Sequence, residues 1–179
     1  TGGRVEMPRL MAEIVPSVEL TSPSDALLTL AGVGRRLPSG GRMLTILDGI
    51  DLTVRRGEFV AVLGPSGSGK STLLALMAGL DRPRAGSVVP DGERIDRLSE
   101  DRLAVIRRHK VGFVFQSFQL LGNLTARENV QLPMELLSRP DVRRRADELL
   151  AAVGLGERGH HYPSQLSGGE QQRVALARA

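Results

Sequence analysis

The sequence predicts an α/β fold that consists of a β-rich N-terminal edge, a core around a glycine-rich loop, and a helical subdomain. Three observations lead to this prediction. Short apolar runs that suit strands lie between residues 26 and 63, the stretch GPSGSGKS follows them, and two amphipathic helical patterns lie between residues 125 and 154. A strand, a glycine-rich loop and a helix therefore follow one another at the centre of the fold.

Length and composition indicate a globular domain. The 179 residues suffice for one domain, or for one domain with a small subdomain, and 41% hydrophobic with 25% charged residues is ordinary globular usage. Cysteine is absent, which excludes disulfides, thiolate zinc sites and a cysteine nucleophile. We therefore expect a reducing compartment, the cytoplasm, and no apolar run is long enough to span a bilayer.

The charge pattern does not indicate a nucleic-acid partner. Lysine and arginine number 24 against 20 acidic residues, but the basic pairs are scattered rather than gathered in one tract. Aromatic residues make up only 3% of the chain, so the basic stripe with interleaved aromatics that binds nucleic acid is missing. We expect no nucleic-acid binding.

The elements of the N-terminal edge follow from short apolar runs. Residues 1–25 hold three prolines and no periodicity, which predicts a loose tail. Residues 26–33 and 50–54 are predicted strands, with a turn at the SGG of residues 39–41. Residues 59–63 are continuously apolar, which suits a central strand covered on both faces.

Apolar spacing and stop signals define the elements after the loop. STLLALMAGL predicts a buried helix closed by Gly79, and SEDRLAVIRRHK predicts an amphipathic helix. AGSVVPDGERI lies between them and predicts a hairpin with an Asp91-Gly92 turn. Residues 111–116 form a further apolar strand candidate.

Two helices form the predicted insert. TARENVQLPMELL has Thr125 and Glu128 in the spacing of a capping box, so a helix should start there, and Pro133 should kink or divide it. PDVRRRADELLAAVG predicts a second helix that stops at Gly154. We predict one partial domain over residues 26–179, made of the β edge and core (26–115), a loop and helical insert (116–165) and a final motif with its helix (166–179).

The stretch GPSGSGKS matches the phosphate-loop pattern G-x-x-x-x-G-K-[ST] in full, between a predicted strand and a predicted helix. Glycines let backbone amides converge on an anion, and the helix directs its positive end at the same place. Lys70 adds a charge for the β- and γ-phosphates, and Ser71 offers a hydroxyl to Mg²⁺. The other interpretation, a glycine-rich turn without a ligand, leaves a lysine beside a helix N-terminus with no anion.

Together with this loop, VGFVFQSF, TARENVQLP and QLSGGEQQRVALARA resemble the nucleotide-binding subunits of ABC transporters, of the lipoprotein-release and macrolide-export type. The likeness runs from about residue 26 to residue 179. It implies ATP and Mg²⁺ as ligands, and Gln116 as the Q-loop glutamine that reaches the Mg²⁺ and the attacking water. The ATP phosphates would be held by Gly64, Pro65, Ser66, Gly67, Ser68, Gly69, Lys70, Ser71 and Thr72.

The resemblance identifies LSGGE as the family's signature motif. Ser167 and Glu170 repeat the S-x-x-E pattern, so a helix should start there, with two glycines that leave its first amides uncovered. In the family the signature of one subunit closes over the ATP of the other, which implies a head-to-tail homodimer or a pair with another ATPase subunit. The motif residues are Leu166, Ser167, Gly168, Gly169 and Glu170.

The resemblance also implies a membrane partner. Residues 116–130 would face permease subunits and pass on the motion that ATP binding and hydrolysis produce. The subunit would then lie on the inner face of the cell membrane. Two alternatives stay open at this point: a soluble ABC ATPase of DNA repair or chromosome structure, and an interaction module whose nucleotide site is idle.

Two departures from the family pattern bear on activity. The position at which many relatives place a base-stacking aromatic falls on Leu37, which predicts weak base selectivity. The family's second acidic motif and its histidine loop follow the signature, and neither is present in these residues, so we expect nucleotide binding without hydrolysis. The histidines that are present precede the signature and are interpreted as surface or capping groups: His109, His160 and His161.

Overall fold

The computed structural model describes residues 25–179, which fall into two compact units. The first unit extends to His109, and the second is Lys110–Ala179. The predicted loose tail lies outside the described residues, apart from Asp25. None of the helices within residues 25–179 combines the length and the apolar character that crossing a bilayer requires.

The first unit contains a three-stranded antiparallel sheet. Its strands are β1 (Ala26–Ser39), β2 (Arg42–Arg55) and β3 (Ala85–Pro90), and β1 lies in the middle. Gly40 and Gly41 join β1 to β2 with φ angles of 55° and 78°, which glycine adopts without strain. The two predicted strands and the turn between them are confirmed, and both strands are longer than predicted.

Two helices pack against this sheet through one apolar core. They are α1 (Lys70–Met77) and α2 (Glu100–Lys110), and both were predicted from their apolar spacing. Burying these side chains is the main favourable contribution to the stability of the unit, at about 25 cal/mol for each Å² of apolar surface. The buried side chains are Leu30, Val33, Leu47, Leu73, Leu76, Val88, Ile95, Leu103 and Ile106.

The predicted hairpin after β3 is only half present. Asp91 and Gly92 form its turn, with φ angles of 48° and 78°. The chain then passes back along β3, and the Ile95 amide donates to the Val88 carbonyl at 2.9 Å. The Val88 amide donates to the Asp96 carboxylate at 3.4 Å rather than to a backbone carbonyl. A side chain therefore replaces the ladder, and the predicted returning strand does not form.

The second unit is helical. It contains α3 (Ala126–Leu136), α4 (Val142–Ala152) and α5 (Gly168–Arg178). Pro133 lies inside α3, so the helix is not divided there, and a kink at this residue stays a prediction. The unit has its own apolar core, formed by Ala126, Val130, Ala146, Leu150, Leu155, Leu166, Val174 and Ala177.

The predicted strands at residues 59–63 and 111–116 are not strands in the structure. A strand forms only where a neighbour accepts and donates its backbone hydrogen bonds, and within residues 25–179 the strand pairs join only β1, β2 and β3. Phe59 and Leu63 are 93% and 72% exposed, whereas Val62 packs against the core of the first unit. Within residues 25–179, the apolar side chains of residues 59–63 are therefore only partly covered.

Candidate functional site

The glycine-rich loop of residues 64–69 leads directly into α1, as predicted. Gly69 is the N-cap of α1 and has a left-handed φ of 93°, with no side chain to cap the helix. The first amides of a helix lack partners inside the helix, so those of α1 are presented without a competing side-chain acceptor at the N-cap. This arrangement suits an anion at the start of α1.

Gly69 is also pressed against β2. A side-chain carbon at this position would lie 3.0 Å from the Ile46 carbonyl oxygen and 3.1 Å from Leu47 Cδ2. Both distances are shorter than ordinary van der Waals contact, and Leu47 is itself buried. The residue must therefore be glycine for two reasons, its left-handed backbone and its close approach to the sheet.

Lys70 folds its ammonium group back over the loop. Its Nζ atom donates to the carbonyl oxygen of Gly64 at 2.8 Å and to that of Pro65 at 2.7 Å. A longer contact of 3.4 Å reaches Ser68 Oγ. The lysine thus closes the loop on itself and places one positive charge above the start of α1.

The donor set beside Lys70 fits a Mg²⁺ ion. Ser71 is the second residue of α1, directly after Lys70, and it is exposed. Mg²⁺ keeps several waters and binds through one or two protein oxygens together with substrate phosphates, so it needs no cage of carboxylates. This fits the observation that the described part of the chain holds no group of three or more potential metal-binding side chains.

The signature motif is built as a capping box, as predicted. The Ser167 amide donates to the Glu170 carboxylate at 2.8 Å, and the Glu170 amide donates to Ser167 Oγ at 3.3 Å. The hydrogen bonds from the Ser167 side chain and backbone lower the pKa of the Glu170 carboxyl, and the charges of Arg158 and Arg173 lower it further. Glu170 is therefore an ionised cap that holds the N-terminus of α5.

The turn before α5 is fixed by Gln171, which the sequence analysis did not single out. Its Nε2 atom donates to the Pro163 carbonyl at 3.0 Å and to the Leu166 carbonyl at 3.1 Å. Leu166 is only 6% exposed and belongs to the core of the second unit, whereas Gly168 and Gly169 are exposed. The motif therefore has a buried anchor and an accessible glycine pair at the start of a helix.

Gln116 lies in a turn at the surface of the second unit. The Phe118 amide donates to the Phe115 carbonyl at 2.9 Å, and Gln116 is one of the two exposed residues that this bond encloses. Phe113 and Phe115 stack just before the turn, with ring centroids 5.7 Å apart. The structure thus brings Gln116 and the signature helix α5 into one unit, and the phosphate loop belongs to the other.

A buried amide, also missed in the sequence, holds the segment that follows this turn. Asn129 is fully buried, and its Oδ1 atom accepts a hydrogen bond from the Leu121 amide at 2.8 Å. Its Nδ2 atom donates to three backbone carbonyls, at distances of 3.0 to 3.1 Å. The available signal was a polar residue on the otherwise apolar face of the predicted helix. The three acceptors are Leu121, Leu124 and Thr125.

Leu37 and two of the histidines make contacts that belong to the fold. Leu37 is 38% exposed and pairs with Leu44 across the β1–β2 hairpin. The His161 carbonyl accepts a hydrogen bond from the Ala126 amide at 2.8 Å, at the first turn of α3. His160 lies beside His161, with ring centroids 4.3 Å apart. His161 therefore contributes to capping α3 through its backbone.

An uncapped helix start, a glycine-rich loop and a lysine folded over that loop define a phosphate-loop nucleotide-binding protein. Within that class, residues 47–179 match the family described as ABC transporter, and the chain belongs to this family. The predicted α/β fold of the ABC ATPase type is thereby confirmed, as is the predicted relationship to ATP-binding subunits of transporters.

Two curated relatives show the relationship at high identity. A macrolide export ATP-binding/permease protein of Azoarcus is 51% identical over 166 residues, which are 92% of this chain and 25% of the relative. An uncharacterized ABC transporter ATP-binding protein of Thermotoga maritima is 51% identical over 155 residues, 86% of this chain and 66% of the relative. The chain therefore spans a quarter to two thirds of the relatives that it matches.

A solved structure supports the same fold. The ATP-binding cassette MJ0796, in a dimeric post-hydrolysis state bound to ADP and Pi, superposes with a TM-score of 0.78 at 43% sequence identity. The match covers 84% of this chain and 68% of that cassette. The names of these relatives favour a transporter subunit over a soluble ATPase of DNA repair.

Proposed function

We propose that this chain is the ATP-binding part of an ABC transporter and that it binds Mg-ATP on the loop of residues 64–72. The observation that carries the proposal is the position of Lys70, whose ammonium group bridges two loop carbonyls above the uncapped start of α1. A phosphate chain placed there meets helix amides, one lysine charge and the Ser71 hydroxyl. Mg²⁺, when bound, neutralises the charge on the β- and γ-phosphates.

The signature motif is proposed to meet the ATP of a second subunit. Gly168 and Gly169 are exposed at the start of α5, and the Ser167–Glu170 cap holds that start rigidly. A second helix N-terminus of this kind suits a second face of the same nucleotide, which a head-to-tail pair of subunits provides. The solved relative is described as dimeric with ADP and Pi, which supports this arrangement.

The whole protein is proposed to couple ATP binding and hydrolysis to a membrane permease at the inner face of the cell membrane. The surface assigned to the permease is the segment of residues 116–130, which contains Gln116. The Azoarcus relative is named as an ATP-binding/permease protein for macrolide export, which supports a partner of this class. Gln116 is proposed to act in the nucleotide site through Mg²⁺ and water.

A titration with Mg-ATP tests nucleotide binding by this chain. Lys70→Ala should weaken the affinity by at least about tenfold, because a charge-assisted contact to phosphate is lost. Lys110→Ala is the matched control, since Lys70 and Lys110 are the only lysines of the chain. Saturable binding that is the same in the wild-type chain and in Lys70→Ala, or no binding at all, contradicts the proposal.

A further inference from the structure

The C-terminal end of α5, the helix that begins at the signature motif, is hydrogen-bonded to the loop that follows Gln116. We call this contact the grip of Arg178. In the last turn of α5, the Arg178 guanidinium donates from Nη2 to the Phe118 carbonyl at 2.9 Å and from Nη1 to the Gln119 carbonyl at 2.7 Å. These residues are separated by 59 and 60 positions in the sequence. Burial lowers the pKa of the Arg178 guanidinium, so this contact is made partly out of water.

The two gripped residues have an unusual backbone. Phe118 and Gln119 both have positive φ angles, of 59° and 47°, although neither is glycine. Each such residue costs on the order of 1 kcal/mol and persists only where its surroundings over-determine it. The planar guanidinium, which offers two parallel N–H groups, satisfies two consecutive carbonyls that this conformation turns to one side. Arg178 therefore helps to hold the left-handed pair in place, together with the backbone bonds from the Phe118 amide to the Phe115 carbonyl at 2.9 Å and from the Gln119 amide to the Ser117 carbonyl at 2.6 Å.

The part of α5 that carries Arg178 is packed in place. Val174, Ala175 and Ala177 are buried on the same helix. A side-chain carbon at Gly112, in the segment before Gln116, would overlap the backbone oxygen of Ala179 and approach its carbonyl carbon to 3.0 Å. The C-terminal end of α5 thus packs against the backbone on the N-terminal side of the Gln116 turn, while Arg178 holds the C-terminal side.

We propose that Arg178 is a positioning residue for Gln116, through which the helix that begins at the signature motif fixes the Gln116 loop. Asn129 anchors the far end of the same segment at Leu121, so the loop is held at two points. A shift of α5 that follows nucleotide contact at Ser167 must then carry the Gln116 turn with it. This consequence rests on the proposed function, whereas the grip of Arg178 on the loop does not.

Amide hydrogen exchange in the nucleotide-free full chain tests the grip itself. Arg178→Met should accelerate exchange at the Phe118 and Gln119 amides by about tenfold or more, because two charge-assisted bonds are lost. Arg173→Met, an exposed position on the same helix, is the matched control and should leave these amides unchanged. Arg178→Lys keeps the charge without the fork, so it should give an intermediate rate and serves if Arg178→Met does not fold.

Two results of this experiment overturn the proposal. One is an unchanged exchange rate at Phe118 and Gln119 in folded Arg178→Met or Arg178→Lys. The other is an acceleration that is uniform over Lys110–Ala179, since that outcome means that Arg178 only stabilises the unit. A local acceleration supports it.

A double-mutant cycle on Mg-ATP affinity tests whether Arg178 acts through Gln116. Gln116→Ala and Arg178→Met should each weaken binding by a similar factor, about fivefold, and the double variant should be no weaker than Gln116→Ala alone. Factors that multiply contradict the positioning role. If the wild-type chain shows no binding that depends on Lys70, the proposed function fails, and the exchange experiment still decides the grip of Arg178.

Discussion

The Ser167 hydroxyl donates a hydrogen bond to the Glu170 carboxylate at 2.7 Å and accepts one from the Glu170 amide at 3.3 Å. A hydroxyl has only one proton, and here the cap already uses it. An anion that reaches this helix start therefore meets the backbone amides of the glycine pair. The Ser167 hydroxyl can donate a hydrogen bond to that anion only if its bond to Glu170 is broken.

The exposed start of α5 leads to the first prediction. Ser167→Arg places a large side chain where the second subunit's nucleotide is proposed to lie, so ATP-dependent dimerisation should be lost while the monomer still binds Mg-ATP within about twofold. Sedimentation with and without Mg-ATP measures both states. Ser164→Arg, at an exposed position before the motif, is the control. Dimerisation that survives Ser167→Arg contradicts the assigned role of the motif.

The two capping boxes predict a dependence of stability on pH. Hydrogen bonds from Thr125 lower the pKa of Glu128, and those from Ser167 lower the pKa of Glu170. A carboxyl whose pKa is lower in the folded state adds stability above its unfolded pKa, about 4.3, and this contribution disappears as the pH falls through the folded value. The melting temperature should therefore fall on acidification below about pH 5.

Glutamine variants separate the contribution of these two carboxylates to stability from the effect of low pH on the rest of the protein. Thermal unfolding of the double variant Glu128→Gln, Glu170→Gln should show a flatter decline of melting temperature between about pH 5 and pH 3 than the wild type. Glu135→Gln, an exposed position of α3, should keep the wild-type slope. Equal slopes in all three chains would mean that the caps do not contribute.

The buried amide of Asn129 predicts a large loss of stability. Asn129→Leu removes one acceptor and leaves backbone groups of the loop at residues 121–125 without their partner, which should cost about 3 kcal/mol. Urea unfolding measures this loss, and exposed Asn123→Ala should stay within about 0.5 kcal/mol of the wild type. A small effect of Asn129→Leu would show that water replaces the amide.

Gly69 provides a test of the phosphate loop by backbone geometry. Gly69→Ala introduces a carbon 3.0 Å from the Ile46 oxygen in addition to left-handed strain, so it should destabilise the first unit by about 2 kcal/mol or more. Gly57→Ala has a comparable φ of 74° with nothing within 4 Å, and it should show the strain alone, about 1 kcal/mol. Equal losses in urea unfolding would argue against the close packing on β2.

The features that were predictable from the sequence are local ones. The caps at Thr125 and Ser167 depend on residues three positions apart, and the phosphate loop depends on eight consecutive residues. A short segment of sequence therefore contains every residue that each feature needs. Strands at residues 59–63 and 111–116 were predicted from composition alone, which does not supply a partner. The side chain of Arg178 was missed because its acceptors are 59 and 60 positions away.

The exposed apolar segment of residues 59–63 affects how the purified protein must be handled. These residues combine β-branched and aromatic side chains, no charge and no proline, and Phe59 is 93% exposed. Such a segment is a template for intermolecular strand pairing and aggregation. Its self-association should rise steeply with concentration, and Phe59→Lys should raise the solubility limit without touching the phosphate loop. Purification at low concentration should therefore limit association through the segment that leads into the glycine-rich loop of residues 64–69.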